Sequence, residues 1–267
     1  MTLDSNSTDW VWLKLLCLTI IATLTFEHSQ FDVLISEFFY ANGHWLIEKG
    51  AQPYRFIFYD FPKLLLILLG IYLITTLAWR YWQSRYANTK MTKPFLAKPF
   101  LAKPSFIRPI AALSSRELGY LLITLILVPT TIALLKGVTH VSCPNQLTLF
   151  DGDLPYLNLW QSMVAMTPEK CFPAAHASAG FSLYGLTFLP SLHKYRYKIF
   201  AIVSILGWTM GLYKMLFGDH FFSHTLVSML LSLTIACALA SLFFKNAATN
   251  EGRNAQSNGI IKWWLRS

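Results

Sequence analysis

Apolar residues gather into six separated runs along the chain, at 10–26, 61–82, 118–135, 174–190, 199–217 and 221–244. The first is interrupted by Lys14 near its start. The second ends on Trp79, Tyr81 and Trp82, an aromatic belt of the kind found at a membrane–water boundary. The fourth is short and rich in small residues. The last two are almost contiguous, and Gly218 and Asp219 supply the break, because glycine is the usual residue where a chain reverses at a helix end. A helix needs about 20 apolar residues to cross a bilayer, so the pattern predicts an all-α bundle of six transmembrane spans. Between the first two runs, Phe31, Leu34, Ile35, Phe38 and Phe39 recur at helical spacing and predict an amphipathic helix lying on the outer surface.

The basic residues set the orientation. Eight of them and no acid lie between Arg80 and Arg116. Placing this stretch, Lys194, Arg196, Lys198 and the tail after Phe244 on one side collects fifteen of the 22 Lys and Arg. The opposite connections, 27–60 and 136–172, hold more acids than bases. The positive-inside bias then places both termini in the cytoplasm. Within the basic stretch a KPFLAKPFLAKP repeat (93–104) has proline at every fifth position, which disfavours a regular helix and suits an extended linker near anionic headgroups. Residues 246–259 are polar, and Trp263 and Trp264 then rest at the interface or in a solvated tail. The apolar run 10–26 lacks a small-residue cleavage site and reads as a retained span rather than a signal peptide.

Composition agrees with a lipid solvent. The chain is 54% hydrophobic and 13% charged, against about a quarter charged in soluble domains. A net charge of +9 raises nucleic acid as a partner, but the charge sits between apolar runs and no nucleic-acid-binding module accompanies it. No Cys/His set has zinc spacing and no glycine-rich nucleotide loop is present, so neither a metal nor another cofactor is expected.

With this topology the outer helix ends collect ionisable side chains from segments distant in sequence. Lys136 closes the third span and Pro173-Ala174-Ala175-His176 opens the fourth. Lys214 lies in the last turn of the fifth, His220 opens the sixth, and His224 follows one turn later on the same face. Ionisable groups at membrane depth are functional candidates. Two lysines and three histidines suit phosphoryl transfer. Lysines stabilise charge on the equatorial oxygens, a helix N-terminus offers unpaired N–H groups, one histidine attacks phosphorus and another protonates the leaving oxygen. Snorkelling at a helix end is the competing account of Lys136, and helix packing that of His224. His140, Asp151, Asp153, Lys170 and Asp219 read as solvated loop residues.

The order and spacing of these residues resemble the type 2 phosphatidic acid phosphatase superfamily, whose motifs are K-x6-R-P, P-S-G-H and S-R-x5-H-x3-D. The corresponding stretches here are Lys136-GVTHVS-Cys143-Pro144, Pro173-Ala174-Ala175-His176 and Tyr213-Lys214-MLFGD-His220-FFS-His224. The tracts CFPAAHASAGF and GDHFFSH also look like a bacterial subfamily, one similar to lipid A phosphatases. The resemblance implies a helical core like that of vanadium haloperoxidases and acid phosphatases. It implies His220 as the nucleophile, His176 as general acid and then base, and Lys136 as a phosphate ligand. Backbone N–H groups around Ala174, Ala175 and His176 would cradle the phosphate. Four departures stand out. Cys143 replaces the arginine of the first motif, Ala174 and Ala175 replace serine and glycine, Tyr213-Lys214 replaces Ser-Arg, and His224 replaces the aspartate that orients the nucleophile. A neutral His224 can accept a hydrogen bond from the His220 ring but cannot supply the negative charge.

Cys17 and Cys237 fall inside spans as packed thiols. Cys143 and Cys171 share the outer loop, and an oxidising periplasm would join them as a disulfide tethering the Lys136 end to the His176 helix; two independent small residues are the alternative. The expected organisation is two spans with the interfacial helix (10–83), a basic cytoplasmic linker (84–117), a phosphatase-like four-span core (118–244) and a cytoplasmic tail (245–267). The expected function is a metal-independent hydrolase of a lipid phosphate or pyrophosphate, acting at the periplasmic face of a bacterial inner membrane through a phosphohistidine. Lipid A, phosphatidic acid, phosphatidylglycerol phosphate and undecaprenyl pyrophosphate are candidate substrates. A lipid phosphotransferase with the same first half-reaction, and a non-catalytic six-span lipid-binding protein, are the alternatives.

Overall fold

The structure, a computed structural model, describes residues 10–87 and 113–251. The basic linker with its repeat, and the tail from 252 with Trp263 and Trp264, lie outside the described residues. Eight helices carry the described fold: α1 (Val11–Glu27), α2 (Phe31–Glu37), α3 (Phe61–Ala87), α4 (Ser115–Thr139), α5 (Leu159–Ala165), α6 (Ala175–Phe181), α7 (Arg196–Met215) and α8 (Phe222–Glu251). A two-residue antiparallel ladder, β1 (Tyr40–Ala41) with β2 (His44–Trp45), closes the loop after α2.

Helix α4 starts where the sequence supplies a capping box. Ser114 Oγ accepts from the Glu117 N–H at 3.2 Å, and Glu117 Oε2 accepts from the Ser114 N–H at 2.8 Å. The other Glu117 oxygen accepts from Ser191 N–H at 2.9 Å, which fastens this end of α4 to the turn before α7. Helix α8 packs along α1, α4 and α6, and α6 also packs on α7. Small residues permit the close approach. A Cβ on Gly207 of α7 would lie 2.2 Å from the Phe181 ring of α6, and one on Gly211 would lie 2.4 Å from Thr225 of α8. Buried Ser228 and Ser232 of α8 return their hydroxyls to carbonyls one turn earlier, at 2.8 and 2.6 Å.

The outer surfaces of the helices are apolar. On α3, Leu64, Leu65, Ile67, Leu68, Ile71 and Ile74 are all exposed. A contiguous face of this size has lipid as its natural solvent. Helix α2 is inverted relative to a soluble helix. Asp32 and Ser36 are buried against the protein, while Phe31, Leu34 and Phe38 are exposed. The helix begins where the spacing predicts one and ends at Glu37, before Phe38 and Phe39.

Three described helical stretches are long and apolar enough to cross a membrane: Phe56–Tyr86, Ser115–Gln146 and Phe222–Phe244. A fourth appears if α1 and α2, bent by 69° at their junction, count as one. The other two expected spans have physical reasons to fall short of this measure. Helix α6 has only seven residues before its backbone tightens into 3₁₀ turns at Ser182–Phe188, and α7 carries Arg196, Lys198 and Lys214 within its 20 residues. Cys237 is buried as expected, but Cys17 is exposed on α1, on a face without protein packing.

Candidate functional site

The turn between α7 and α8 positions His220, and its geometry follows from neighbouring residues. Gly218 has φ +74°, and a Cβ there would sit 2.4 Å from the Trp45 ring and 2.8 Å from Asn145 Cβ, so both conformation and space require glycine. The Asn145 N–H donates to the Gly218 carbonyl at 2.9 Å, and Asn145 Nδ2 donates to the Phe217 carbonyl at 3.2 Å. The Asp219 N–H donates back to the Lys214 carbonyl at 2.9 Å. His220 is thereby held in a short, fully tied segment and is 4% exposed.

His224, on the first turn of α8, stands edge-on to His220 with ring centroids 5.7 Å apart. The hydrogen bond allowed by the sequence between these rings is not made. Nδ1 of each is buried without a partner, because the rings meet at 66° rather than aligning nitrogen to nitrogen. Burial pushes the His220 imidazole well below its usual value, and His224, Lys136, Lys214 and His176 push it the same way.

His176 comes from α6. Its ring stacks on Tyr59, with centroids 4.2 Å apart and planes at 17°, and its Nε2 faces the Phe58 carbonyl at 3.5 Å. Phe58 and Tyr59 belong to the π-helical stretch Phe56–Asp60 that leads into α3. Lys136 lies in the last turn of α4, half-buried and without an ion pair among the described residues. Lys214, in the last turn of α7, is committed. Its Nζ binds Asp219 Oδ2 at 2.8 Å and lies 5.2 Å from the Tyr59 ring centroid.

Asp219 corrects the sequence reading. Expected as a solvated loop residue, it is 8% exposed and forms the centre of an ion cluster. Besides Lys214 it accepts from Lys49 Nζ at 3.0 Å and Asn145 Nδ2 at 3.2 Å. His140 and Asp151 are also engaged rather than free: His140 Nδ1 meets the Thr167 carbonyl at 2.8 Å, and Asp151 Oδ2 accepts from Tyr40 OH at 2.5 Å. Ala174 is a second correction. Its N–H donates to the His224 carbonyl at 3.1 Å, so it is spent on joining α6 to α8 and does not face an anion. Of the three expected cradle residues, Ala175 and His176, in the first turn of α6, keep N–H groups free of intrahelical bonds by position.

Cys143 and Cys171 are bonded, with Cα atoms 5.3 Å apart and a sequence separation of 28. The link is reinforced on both sides. The Cys171 N–H donates to the Val141 carbonyl at 2.8 Å, Thr139 Oγ1 donates to the Phe172 carbonyl, and Thr167 Oγ1 donates to the His140 carbonyl. The end of α4 carrying Lys136 is thus stapled to the segment entering α6. Converting both cysteines to serine is expected to lower unfolding stability by about 3 kcal/mol, from the loop entropy released in the unfolded chain. Thermal unfolding in detergent, with and without reductant, measures it: reductant should lower the wild-type midpoint and leave the double variant unmoved.

Tyr59, Lys49 and Asp219 are the site neighbours that sequence reading missed. None lies at a motif position. The one available signal is the placement of Lys49 and Tyr59 in the same outer connection, facing the helix ends that carry the motifs.

Comparison with known proteins gives one match. The family model described as the PAP2 superfamily matches residues 117–248, from the first turn of α4 to near the end of α8. No curated protein and no solved structure matches the chain. The matched segment contains Lys136, the Cys143–Cys171 staple, His176, Lys214, His220 and His224, and through it the chain belongs to the PAP2 superfamily.

Proposed function

We propose that the chain is a six-span membrane phosphatase that hydrolyses a lipid phosphate or pyrophosphate through a phosphohistidine at His220. Members of the superfamily are generally phosphatases, and the apolar helices suit a multi-pass membrane protein. The finer reading is supported above all by one observation. A buried His220, with a partnerless Nδ1, stands beside His224, and burial together with His224, Lys136, Lys214 and His176 opposes positive charge on it. A site so short of negative charge is completed by an anion, and a dianionic phosphate meets that need.

In this reading Nδ1 is the inner nitrogen of His220 and Nε2 attacks phosphorus in line with the departing lipid oxygen. The P–O bond breaks as the P–N bond forms. His176 gives its proton to the leaving oxygen, then takes one from water, whose hydroxide displaces His220 and releases phosphate. Lys136, without an ion pair among the described residues, binds the equatorial oxygens together with the Ala175 and His176 N–H groups. Lys214 contributes charge tempered by Asp219. The four-span core is 118–244, with two further spans and the interfacial helix in 10–83, the cytoplasmic linker in 84–117 and the tail in 245–267. Both termini face the cytoplasm of a bacterial inner membrane and the site faces the periplasm.

The test is phosphate release by purified protein from phosphatidic acid, phosphatidylglycerol phosphate, lipid A and undecaprenyl pyrophosphate, in EDTA. Release of inorganic phosphate from at least one, inhibited by vanadate, is the expected result. No release from any member of the panel would sink the reading.

A further inference from the structure

Lys63 is a cation on the lipid side of α3 that the mechanism above does not use. It stands in the first turn of α3 and is exposed, one turn before Ile67 on the apolar face that also presents Leu64 and Leu68. An ammonium on a lipid-facing surface is costly, and it marks a functional site unless it only reaches for the interface.

The surroundings of Lys63 favour a site. Its Nζ lies 5.8 Å from the centroid of the Tyr59 ring, within cation–π range. Tyr59 stacks on His176 at 4.2 Å, so Lys63 stands one ring away from that imidazole. Its charge acts on His176 more strongly than that of Lys136 does. No carboxylate answers it. Asp60, the nearest acid along the chain, holds Arg55 at 3.4 Å, and Asp219 holds Lys49 and Lys214. Lys63 has no ion pair among the described residues.

The position of this charge decides what it meets. In the phosphatase reading, on which this inference rests, His176 protonates the departing oxygen. A cation placed beside His176 and facing lipid therefore adjoins the leaving group. A leaving group that is a neutral alcohol once protonated gains little from it, whereas one that carries a phosphate of its own gains a charge-assisted contact.

We propose that Lys63 ligates a second phosphate carried by the leaving group, so that the substrate class is a lipid with two phosphates in series, joined directly as a pyrophosphate or through a short polyol. His220 Nε2 attacks the terminal phosphorus. The P–N bond forms as the P–O bond to the leaving group breaks, and the electron pair departs on the oxygen that His176 protonates. The remaining phosphate leaves with the lipid, its charge met by Lys63. Lys63 lies outside the family-matched segment 117–248, so this selectivity is contributed by α3 and not by the matched core.

Lys63→Gln removes the charge at an exposed position. Phosphate release is compared on two pairs in detergent: undecaprenyl pyrophosphate with undecaprenyl phosphate, and phosphatidylglycerol phosphate with phosphatidic acid. Wild type is expected to act on the two-phosphate member of at least one pair. On that member Lys63→Gln should lose about tenfold or more in kcat/KM, and on its one-phosphate partner less than about twofold. The pair that responds shows whether the second phosphate is joined directly or through glycerol. Equal loss on both members, as an unfolded variant would also give, overturns the inference. So does unchanged kcat/KM throughout, or wild-type release confined to the one-phosphate lipids, and each of these leaves the phosphatase reading standing. No release by wild type from any lipid overturns that reading and this inference with it.

Discussion

Replacing His220 by alanine is expected to lower phosphate release about 10⁴-fold or more, with the fold retained. The nucleophile is the one part of the machinery with no substitute, since the remaining lysines and helix N–H groups stabilise charge but form no bond to phosphorus. Retention of the fold follows from the hydrogen bonds of the turn, which run through Gly218, Asn145, Phe217 and the backbone of Asp219 rather than through the imidazole. Removing a buried ring whose Nδ1 has no partner also relieves a desolvation penalty, which offsets part of the lost packing. In the proposed mechanism the imidazole is suited to attack because burial, first, and its neighbours, Lys136 and Lys214 among them, hold it neutral. As pH falls through 6.5, where an ordinary histidine protonates and loses its lone pair, His220 remains available. Rapid quenching of wild type with a labelled lipid phosphate should trap label at His220, and His220→Ala should trap none. Label at any other residue would refute the assignment.

The distinction between what was legible in the sequence and what was not has a physical basis. Lys136, His176, Lys214, His220 and His224 lie at helix ends, and a helix end is marked locally, by Gly218, by proline, or by an apolar run stopping. Topology then carries all five to one side without any contact being known. The disulfide was legible for the same reason, as two cysteines in one outer loop. What escaped were contacts between side chains far apart in the chain. Asp219 finds Lys49 across 170 residues, His176 finds Phe58 across 118, and Asp32 finds Ser223 across 191. No period or spacing encodes such pairs, because each depends on how α2 and the 40–60 connection fold over the helix ends. The unmade His220–His224 hydrogen bond is of the same kind. Four residues of separation predicts both rings on one helix face, but α8 begins at Phe222, so His220 lies in the turn before it, and Phe172 and Phe221 stand edge-on to the His224 ring at 5.2 and 5.4 Å.

These long-range contacts also divide the charges of the site by role. Asp219 neutralises Lys214 and draws in Lys49, a side chain 70% exposed at the rim. Lys136 keeps its charge uncompensated by any ion pair among the described residues. In the proposed mechanism an incoming phosphate meets Lys136 unpaired and Lys214 already partly neutralised. The lysine pair that looked equivalent in the sequence is unequal in the fold.

His176 is the residue whose loss should depend most on the substrate. Replacing it by alanine is expected to cost about 10³-fold in kcat on a lipid phosphate, within the range for removal of a general acid–base group. A lipid alkoxide is a poor leaving group and needs the proton that His176 supplies in the proposed mechanism. An aryl phosphate with an acidic phenol does not, so phosphorylation of His220 by such a substrate should be nearly unimpaired in His176→Ala. Hydrolysis of the phosphohistidine still needs a base to activate water, and His176 is the histidine placed for it, held against Tyr59 at 4.2 Å. The variant should therefore release one equivalent of phenol in a burst and then stall, with phosphate accumulated on His220. Rapid-mixing absorbance measures the burst, and acid-labile label on the protein measures the trapped intermediate. A uniform loss on both substrates, with no burst, would show that His176 positions the site instead of moving protons in it. The stacked Tyr59 makes that alternative concrete, and Tyr59→Leu discriminates it: loss of orientation alone should slow both half-reactions together, whereas loss of the acid–base group separates them.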